Sequence, residues 1–290
     1  GLHKLEGLFQ SIGWVDHLAV GLADEDSLTS RSGRPVVAGW DNLAWRAVER
    51  VRDAAGSSQR LAVRLDKQIP AAAGLGGGSA DAAAALAAAG QLLGVAPADL
   101  KELAPGLGSD VPFCFAGGSA EVGGTGADLR PLAPIAGYAL ALVVPPIELA
   151  TGAVYGRWDE LGEPKGPGIA GADLPPLLRR LGPLHNDLYP AAVSVAPALD
   201  EWRAELASRW SRPVLLTGSG PTLFAYFLDR AEATHAIADT PPGARAAAAA
   251  LPIPFGWALG VGEGEYLPSA PTDERTAEMI PLLFDPSHGP

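Results

Sequence analysis

A glycine run set between a strand pattern and a helix pattern constrains this chain more than any other stretch: Ile69-Pro70-Ala71-Ala72-Ala73-Gly74-Leu75-Gly76-Gly77-Gly78-Ser79-Ala80-Asp81. Leu61-Ala62-Val63-Arg64-Leu65-Asp66 alternates apolar and polar residues, the period of a half-buried strand, and leads straight into it. Ala82 to Leu93 follows as an alanine-rich helix that stops at Gly94. Strand, glycine loop and helix in that order present a row of backbone N–H groups and a helix N-terminus to an anion. Glycine reaches the positive-φ conformations of a tight loop and has no Cβ to hold a phosphate off the backbone. Ser79 is placed to cap the helix or to offer its hydroxyl to a phosphate or its metal. A flexible loop before an ordinary helix is the competing reading. Leu75 among the glycines and the lack of any spacer before the helix count against it. The loop is not a P-loop, because no Gly-Lys-Ser/Thr closes it. Nor is it a dinucleotide fingerprint, whose glycine spacing and acidic strand end are missing.

The rest of the chain bounds what such a loop could serve. At 290 residues it suits one large domain or two ordinary ones. A 48% hydrophobic share is too high for a disordered chain. The most apolar run, Tyr138 to Val144, ends at Pro145-Pro146 and is far too short to span a bilayer. Gly1 to Glu6 lacks the basic and apolar regions of a signal peptide. A formal charge of −12 argues against a nucleic-acid backbone or an anionic membrane, but not against a small anion in one pocket. The single cysteine, Cys114, excludes internal disulfides and cysteine metal clusters and suits a reducing cytosol.

Periodicity places the remaining elements. Leu8 to Leu22 reads as one or two strands, with Ile12, Trp14, Leu18, Val20 and Leu22 on one face, broken only by Asp16. Ala23 to Val36 is polar and turn-like. Asp41 is the expected N-cap of a helix whose face carries Leu43, Ala47, Val48 and Val51. Ala96 to Ala104 is a short helix. Asp110, just ahead of Pro112, reads either as a cap or as a carboxylate beside the glycine loop that could take a proton from a hydroxyl; the stretch alone favours the cap. Cys114 sits among aromatics as a small buried hydrophobe, and Gly117 to Gly126 forms a hairpin. Thr151 to Asp159 is helical, and Leu199, Trp202, Leu206 and Trp210 share a packed helix face. Val214 to Phe227 reads as two strands around a second glycine turn, Arg230 to Ala238 and Ala244 to Leu251 as helices, and Pro268 to Pro290 as an extension with an apolar patch at Met279 to Phe284.

Three of these stretches resemble one family. Pro70 to Ser79 is similar to the second signature of the GHMP kinases, the small-molecule kinases named for galactose, homoserine, mevalonate and phosphomevalonate, and Leu216-Thr217-Gly218-Ser219-Gly220-Pro221 to the third. Leu107 to Phe113, Gly1 to Gln10, Asp41-Asn42-Leu43 and Asn186-Asp187-Leu188 match one branch of that family in order, so the resemblance covers about residues 1 to 230. It implies an α/β (α+β) two-domain GHMP kinase fold, with a ribosomal-protein-S5-domain-2-like N-terminal domain and a ferredoxin-like α+β C-terminal domain. The active site would lie in the cleft between them. The implied domains are 1–136 and 137–264, with 265–290 an extension. By resemblance the loop from Pro70 to Ala80 would cradle the phosphates of ATP, with Mg²⁺, and Lys67 and Asn42 would lie near the adenine. Asp110 would act on the hydroxyl to be phosphorylated. His3, Thr151 and Tyr155, together with Thr217, Gly218 and Ser219, would meet the acceptor, a cytidine diphosphate-linked methylerythritol in that branch. A cytoplasmic monomer or homodimer is implied, without nucleic-acid or membrane partners. Homoserine- or mevalonate-type kinases and a non-catalytic nucleotide-binding relative remain the alternatives. Two departures accompany the likeness: Leu2 stands where the family has Tyr, and the family's first strand, with a Lys that pairs with the Asp and an Asn beside it, would lie before Gly1.

Overall fold

Alternating strand and helix signals build the first half around β4. The computed structural model describes residues 5–30, 39–261 and 277–278. In chain order the first half runs β1 (Leu5–Gln10), β2 (His17–Ala23), β3 (Ser27–Ser30), α1 (Leu43–Ala54), β4 (Arg60–Asp66), α2 (Gly77–Leu93), α3 (Pro97–Leu103), α4 (Val111–Ala116), β5 (Ser119–Gly124) and β6 (Asp128–Pro131). β4 pairs antiparallel with β2, His17 opposite Asp66, and parallel with β3. Its inward residues Leu61, Val63 and Leu65 are buried against α1 and α2, whose Trp45, Val48, Val51 and Leu86 complete the core. α2 is buried from Asp81 to Gly90 on every side, as befits a helix of small residues packed between other elements. β1, β5 and β6 form a separate antiparallel sheet.

The second half contributes β7 (Ala139–Val144), α5 (Thr151–Glu160), β8 (Gly168–Ile169), β9 (Leu184–His185), α6 (Tyr189–Val195), α7 (Ala198–Trp210), β10 (Leu215–Leu216), β11 (Leu223–Phe227), α8 (Arg230–Ala238) and β12 (Ala246–Ala250). The sheet order is β10-β11-β7-β12, antiparallel throughout. One face packs on the helices through Leu199, Leu206, Val154 and Phe227. Tyr138, Leu140, Leu142 and Leu215 on the other face pack with Leu8, Ile12, Trp14 and Leu75, so this cluster joins the two halves and includes the leucine of the glycine loop. Past β12 the chain returns to the first half: Ile253 N–H donates to Ser11 O at 2.9 Å and Trp257 Nε1 to Phe115 O at 2.9 Å. β13 (Gly260–Val261) and β14 (Ala277–Glu278) extend the first-half sheet at β2.

Four expectations are corrected. Ala244 to Leu251 is not a helix. Ala246–Ala250 is a strand that pairs with β7 residue by residue, and pairing the open edge of a buried strand outweighs the helix preference of five alanines. Ser27–Ser30 is a strand inside the segment expected to be turns. Asn42, not Asp41, caps α1, its Oδ1 accepting from Ala44 N–H at 2.9 Å. Ser79 does not cap α2, which starts two residues earlier behind Gly76 in the left-handed region at φ 66°. The extension's apolar patch, Met279 to Phe284, lies outside the described residues.

Candidate active site

The glycine loop is shaped from both halves of the molecule. Its carbonyls are held from the second half: Arg245 donates to Ala71 O at 2.6 Å, Thr222 Oγ1 to Ala73 O at 2.6 Å and Thr217 Oγ1 to Gly74 O at 2.9 Å. Gly74 lies at φ 73° against the backbone of Gly220, where a Cβ would run into the Gly220 carbonyl oxygen. With those carbonyls turned outward and engaged, none of the amides from Gly74 to Ser79 donates a backbone hydrogen bond to another described residue. The first bond of α2 is Ala80 N–H to Gly76 O at 2.9 Å, so the helix start and the loop before it offer one continuous row of open donors. The glycine turn Thr217 to Gly220 is therefore more than a hairpin: it is the surface on which the loop rests.

Around this row stand the other candidate groups. Asp110 occupies the cap position of α4 but makes no capping hydrogen bond, and its Oδ1 accepts from Ser109 Oγ at 3.4 Å. Burial holds the Asp110 carboxyl above its ordinary value of 3.8, a rise that the Ser109 hydrogen bond opposes. α4 packs on α2, and Cys114 Sγ lies 4.0 Å from the position of a Cβ on Gly76. Burial, then the charges of Asp110 and Asp81, push the Cys114 thiol up to about 12, so it stays protonated beside the loop. Tyr155 on α5 is raised by burial and then by the charge of Asp110, which places the phenol and the carboxylate within electrostatic reach across the two halves. Thr151 Oγ1 and Ser219 Oγ share a hydrogen bond of 3.0 Å. Asn186 Nδ2 donates to Gly218 O at 2.7 Å and Leu216 O at 2.8 Å, pinning the turn.

Two of the residues singled out from the sequence are placed differently from a ligand-facing surface group. Lys67 is buried, and its Nζ pairs with Asp16 and, at 2.6 Å, with Asp81 Oδ2. Asn42 is buried at the start of α1, beside the first turn of α2, where Leu43 lies 3.8 Å from the position of a Cβ on Gly78. His3 lies outside the described residues. Sequence reasoning missed Asp16, Thr222 and Arg245 as neighbours of the loop. For Asp16 a signal existed, since it alone broke an apolar face; Arg245 and Thr222 lie about 150 residues or more from the loop in sequence, and only the folded topology brings them to it.

An amide-lined glycine loop at a helix start, clamped by a second glycine turn, is a site suited to holding the phosphates of a nucleotide during phosphoryl transfer. Residues 42–118 match the family model of the GHMP kinases N terminal domain. The chain is 37% identical over 241 residues to the 4-diphosphocytidyl-2-C-methyl-D-erythritol kinase of Pelotomaculum thermopropionicum, covering 79% of this chain and 82% of that one. Among solved structures it is similar to a 4-(cytidine 5'-diphospho)-2C-methyl-D-erythritol kinase, with a TM-score of 0.69, 32% identity, and 87% and 91% of the two chains covered. A homoserine kinase from Cytophaga hutchinsonii has a TM-score of 0.61 over 83% and 87% of the chains, and at 19% identity it shows the shared fold. The chain belongs to the 4-diphosphocytidyl-2-C-methyl-D-erythritol kinase family.

Proposed function

We propose that the chain transfers the γ-phosphoryl group of ATP to the 2-hydroxyl of 4-diphosphocytidyl-2-C-methyl-D-erythritol, a step of non-mevalonate isoprenoid precursor biosynthesis. The observation that carries the reading is the row of undonated amides from Gly74 to Ser79 at the start of α2. Phosphoryl transfer asks a protein mainly to position its reactants and to stabilise negative charge, and fixed amides at a helix N-terminus do both. The loop from Pro70 to Ala80 holds the phosphates, with the adenine toward Asn42. Lys67 acts from beneath the helix start, its charge balanced by two carboxylates. Among the described residues no cluster of His, Cys, Asp or Glu could hold a metal by itself. The Ser79 hydroxyl at the start of α2 would help hold an Mg²⁺, and this ion would neutralise phosphate charge when bound.

Asp110 takes the proton from the acceptor hydroxyl as its oxygen forms the new bond to phosphorus, and ADP leaves. Tyr155 stacks on the cytosine, and Thr151 and the Thr217-Gly218-Ser219 turn contact the rest of the acceptor, as does His3. Among the described residues no helix is long and apolar enough to cross a membrane. We place the enzyme in the cytoplasm, acting alone or as a homodimer on a small-molecule substrate. The test is ADP release coupled to the acceptor. Wild-type protein should turn over only when 4-diphosphocytidyl-2-C-methyl-D-erythritol is supplied, in preference to homoserine and mevalonate, and Asp110→Asn should stop it. Release that ignores the acceptor, or survives Asp110→Asn, refutes the assignment.

A further inference from the structure

The residue that broke the apolar face of the second strand sits at the base of the loop. Asp16, just ahead of β2, is 6% exposed. Its Oδ1 accepts from two successive amides, Gln68 N–H at 2.6 Å and Ile69 N–H at 2.8 Å, at the point where β4 ends and the loop begins. Its Oδ2 pairs with Lys67, whose Nζ also reaches Asp81 Oδ2 at 2.6 Å. Asp81 lies on α2 one turn beyond the glycines, and Lys67 Nζ is 3.5 Å from the position of a Cβ on Gly77. The triad thus ties together the strand before the loop, the entry to the loop and the first turns of the helix after it.

A buried carboxylate is costly unless its partners are fixed, and here every partner belongs to the loop or its two flanks. The arrangement also carries two acids for one base, and burial raises the Asp81 carboxyl, a rise opposed by Lys67 and reinforced by Asp16. Asp81 Oδ1 has no hydrogen-bond partner among the described residues, and Asp81 Oδ2 accepts from Lys67 Nζ at 2.6 Å. Asp16 is the member with no such gap. Both its oxygens are engaged, and both act on backbone or side chain of residues 67 to 69.

We propose that Asp16 is a positioning residue for phosphoryl transfer: it sets the height and direction at which the chain enters the glycine loop, and through Lys67 and Asp81 it locks the loop to the start of α2. This rests on the reading of residues 74 to 79 as the ATP phosphate site. Removing it lets the amide row shift by a fraction of an ångström, and phosphoryl transfer responds to such shifts by factors on the order of 10 to 10².

The experiment compares Asp16→Asn and Asp16→Glu with Asp26→Asn, all assayed well below their melting temperatures. Asp26 bridges Arg52, Arg60 and the Leu61 amide elsewhere in the same half, so it controls for the plain loss of a structural carboxylate. Asp16→Asn places an amide N–H₂ against the Lys67 ammonium or against the two backbone donors. Asp16→Glu keeps the charge paired but pushes the loop entry outward by one methylene, so a folded variant is available even if the first is not. Both Asp16 variants should raise KM for ATP about tenfold and lower kcat, leaving KM for the acceptor within about twofold, and Asp26→Asn should change only the melting temperature. Asp16 variants that melt earlier yet keep the wild-type KM for ATP and kcat would overturn the proposal. ATP affinity measured by calorimetry reads the same comparison without the acceptor. A wild-type chain that binds ATP but phosphorylates nothing would sink the kinase assignment while the Asp16 comparison still decides its own case. A wild-type chain that does not bind ATP would overturn both.

Discussion

Replacing Gly74 by alanine tests the claim that the phosphate loop is shaped by its contact with the second half. At φ 73° the added Cβ would meet the Gly220 carbonyl oxygen, with the carbonyl carbon 2.8 Å and the Cα 3.2 Å away. All three are backbone atoms, so no rotamer change relieves the collision. An L-residue in the left-handed region costs about 1–2 kcal/mol. Forcing extra volume into a packed contact adds about 1–3 kcal/mol. Together these amount to about 2–5 kcal/mol, and at about 2–4 °C per kcal/mol for a chain of this size class the melting temperature should drop on the order of 10 °C. Gly137 provides the control: it lies at φ 79° with nothing within 4 Å of the point a Cβ would occupy, so Gly137→Ala carries the conformational cost alone. Thermal melts of the two variants therefore isolate the collision. Activity adds a second readout, since the Gly74 carbonyl that Thr217 holds must move and KM for ATP should rise, whereas Gly137→Ala leaves KM unchanged. If Gly74→Ala melts within about 2 °C of Gly137→Ala and keeps its KM for ATP, the second half does not shape the loop.

Four further outcomes follow from the same contacts. Thr222→Val removes the buried hydroxyl that donates to Ala73 O at 2.6 Å while the Thr222 N–H still donates at 3.2 Å, so chemical denaturation should show a loss of about 1–2 kcal/mol. Asp110 must be ionised to accept a proton and burial raises its value above 3.8, so activity falls as pH drops through that raised value; an acid limb of kcat/KM at or below 3.8 would refute the role. For Asp26 burial works upward but the Leu61 amide and the Arg60 and Arg52 guanidinium groups prevail and hold the carboxyl below 3.8, so its stabilisation is present above 3.8 and disappears as pH falls through the lowered value; Asp26→Asn should flatten the acid side of the stability curve. Tyr155→Ala should raise KM for the acceptor about tenfold with KM for ATP unchanged, while Tyr155→Phe, which keeps the ring, stays near wild type; equal effects of the two would exclude stacking.

What the amino-acid order made legible is what depends on near neighbours. The strand at Leu61 to Asp66, the helix ending at Gly94 and the buried run of β7 all follow from period and punctuation over a few residues. What stayed hidden depends on partners far along the chain. Ala246–Ala250 is a helix by intrinsic preference and a strand by position, because it pairs with β7 along its whole length and packs beside α8. Asp110 reads as a cap locally, and it is the structure that shows the cap bond unmade and the carboxylate half-buried, its charge felt by Tyr155 of the second half. Lys67 and Asp16 show the same divide. Asp16 reads only as the break in an apolar face and Lys67 is placed only by the resemblance, and the partners that hold both side chains lie more than ten residues away along the chain. Such residues break a local rule because a long-range contact compensates, and in this fold those compensated breaks converge on one loop. The convergence is itself the argument for where the chemistry lies: a loop with no ligand to hold would have no need of carbonyls tied by three separate residues of another half and amides left without a donor's task.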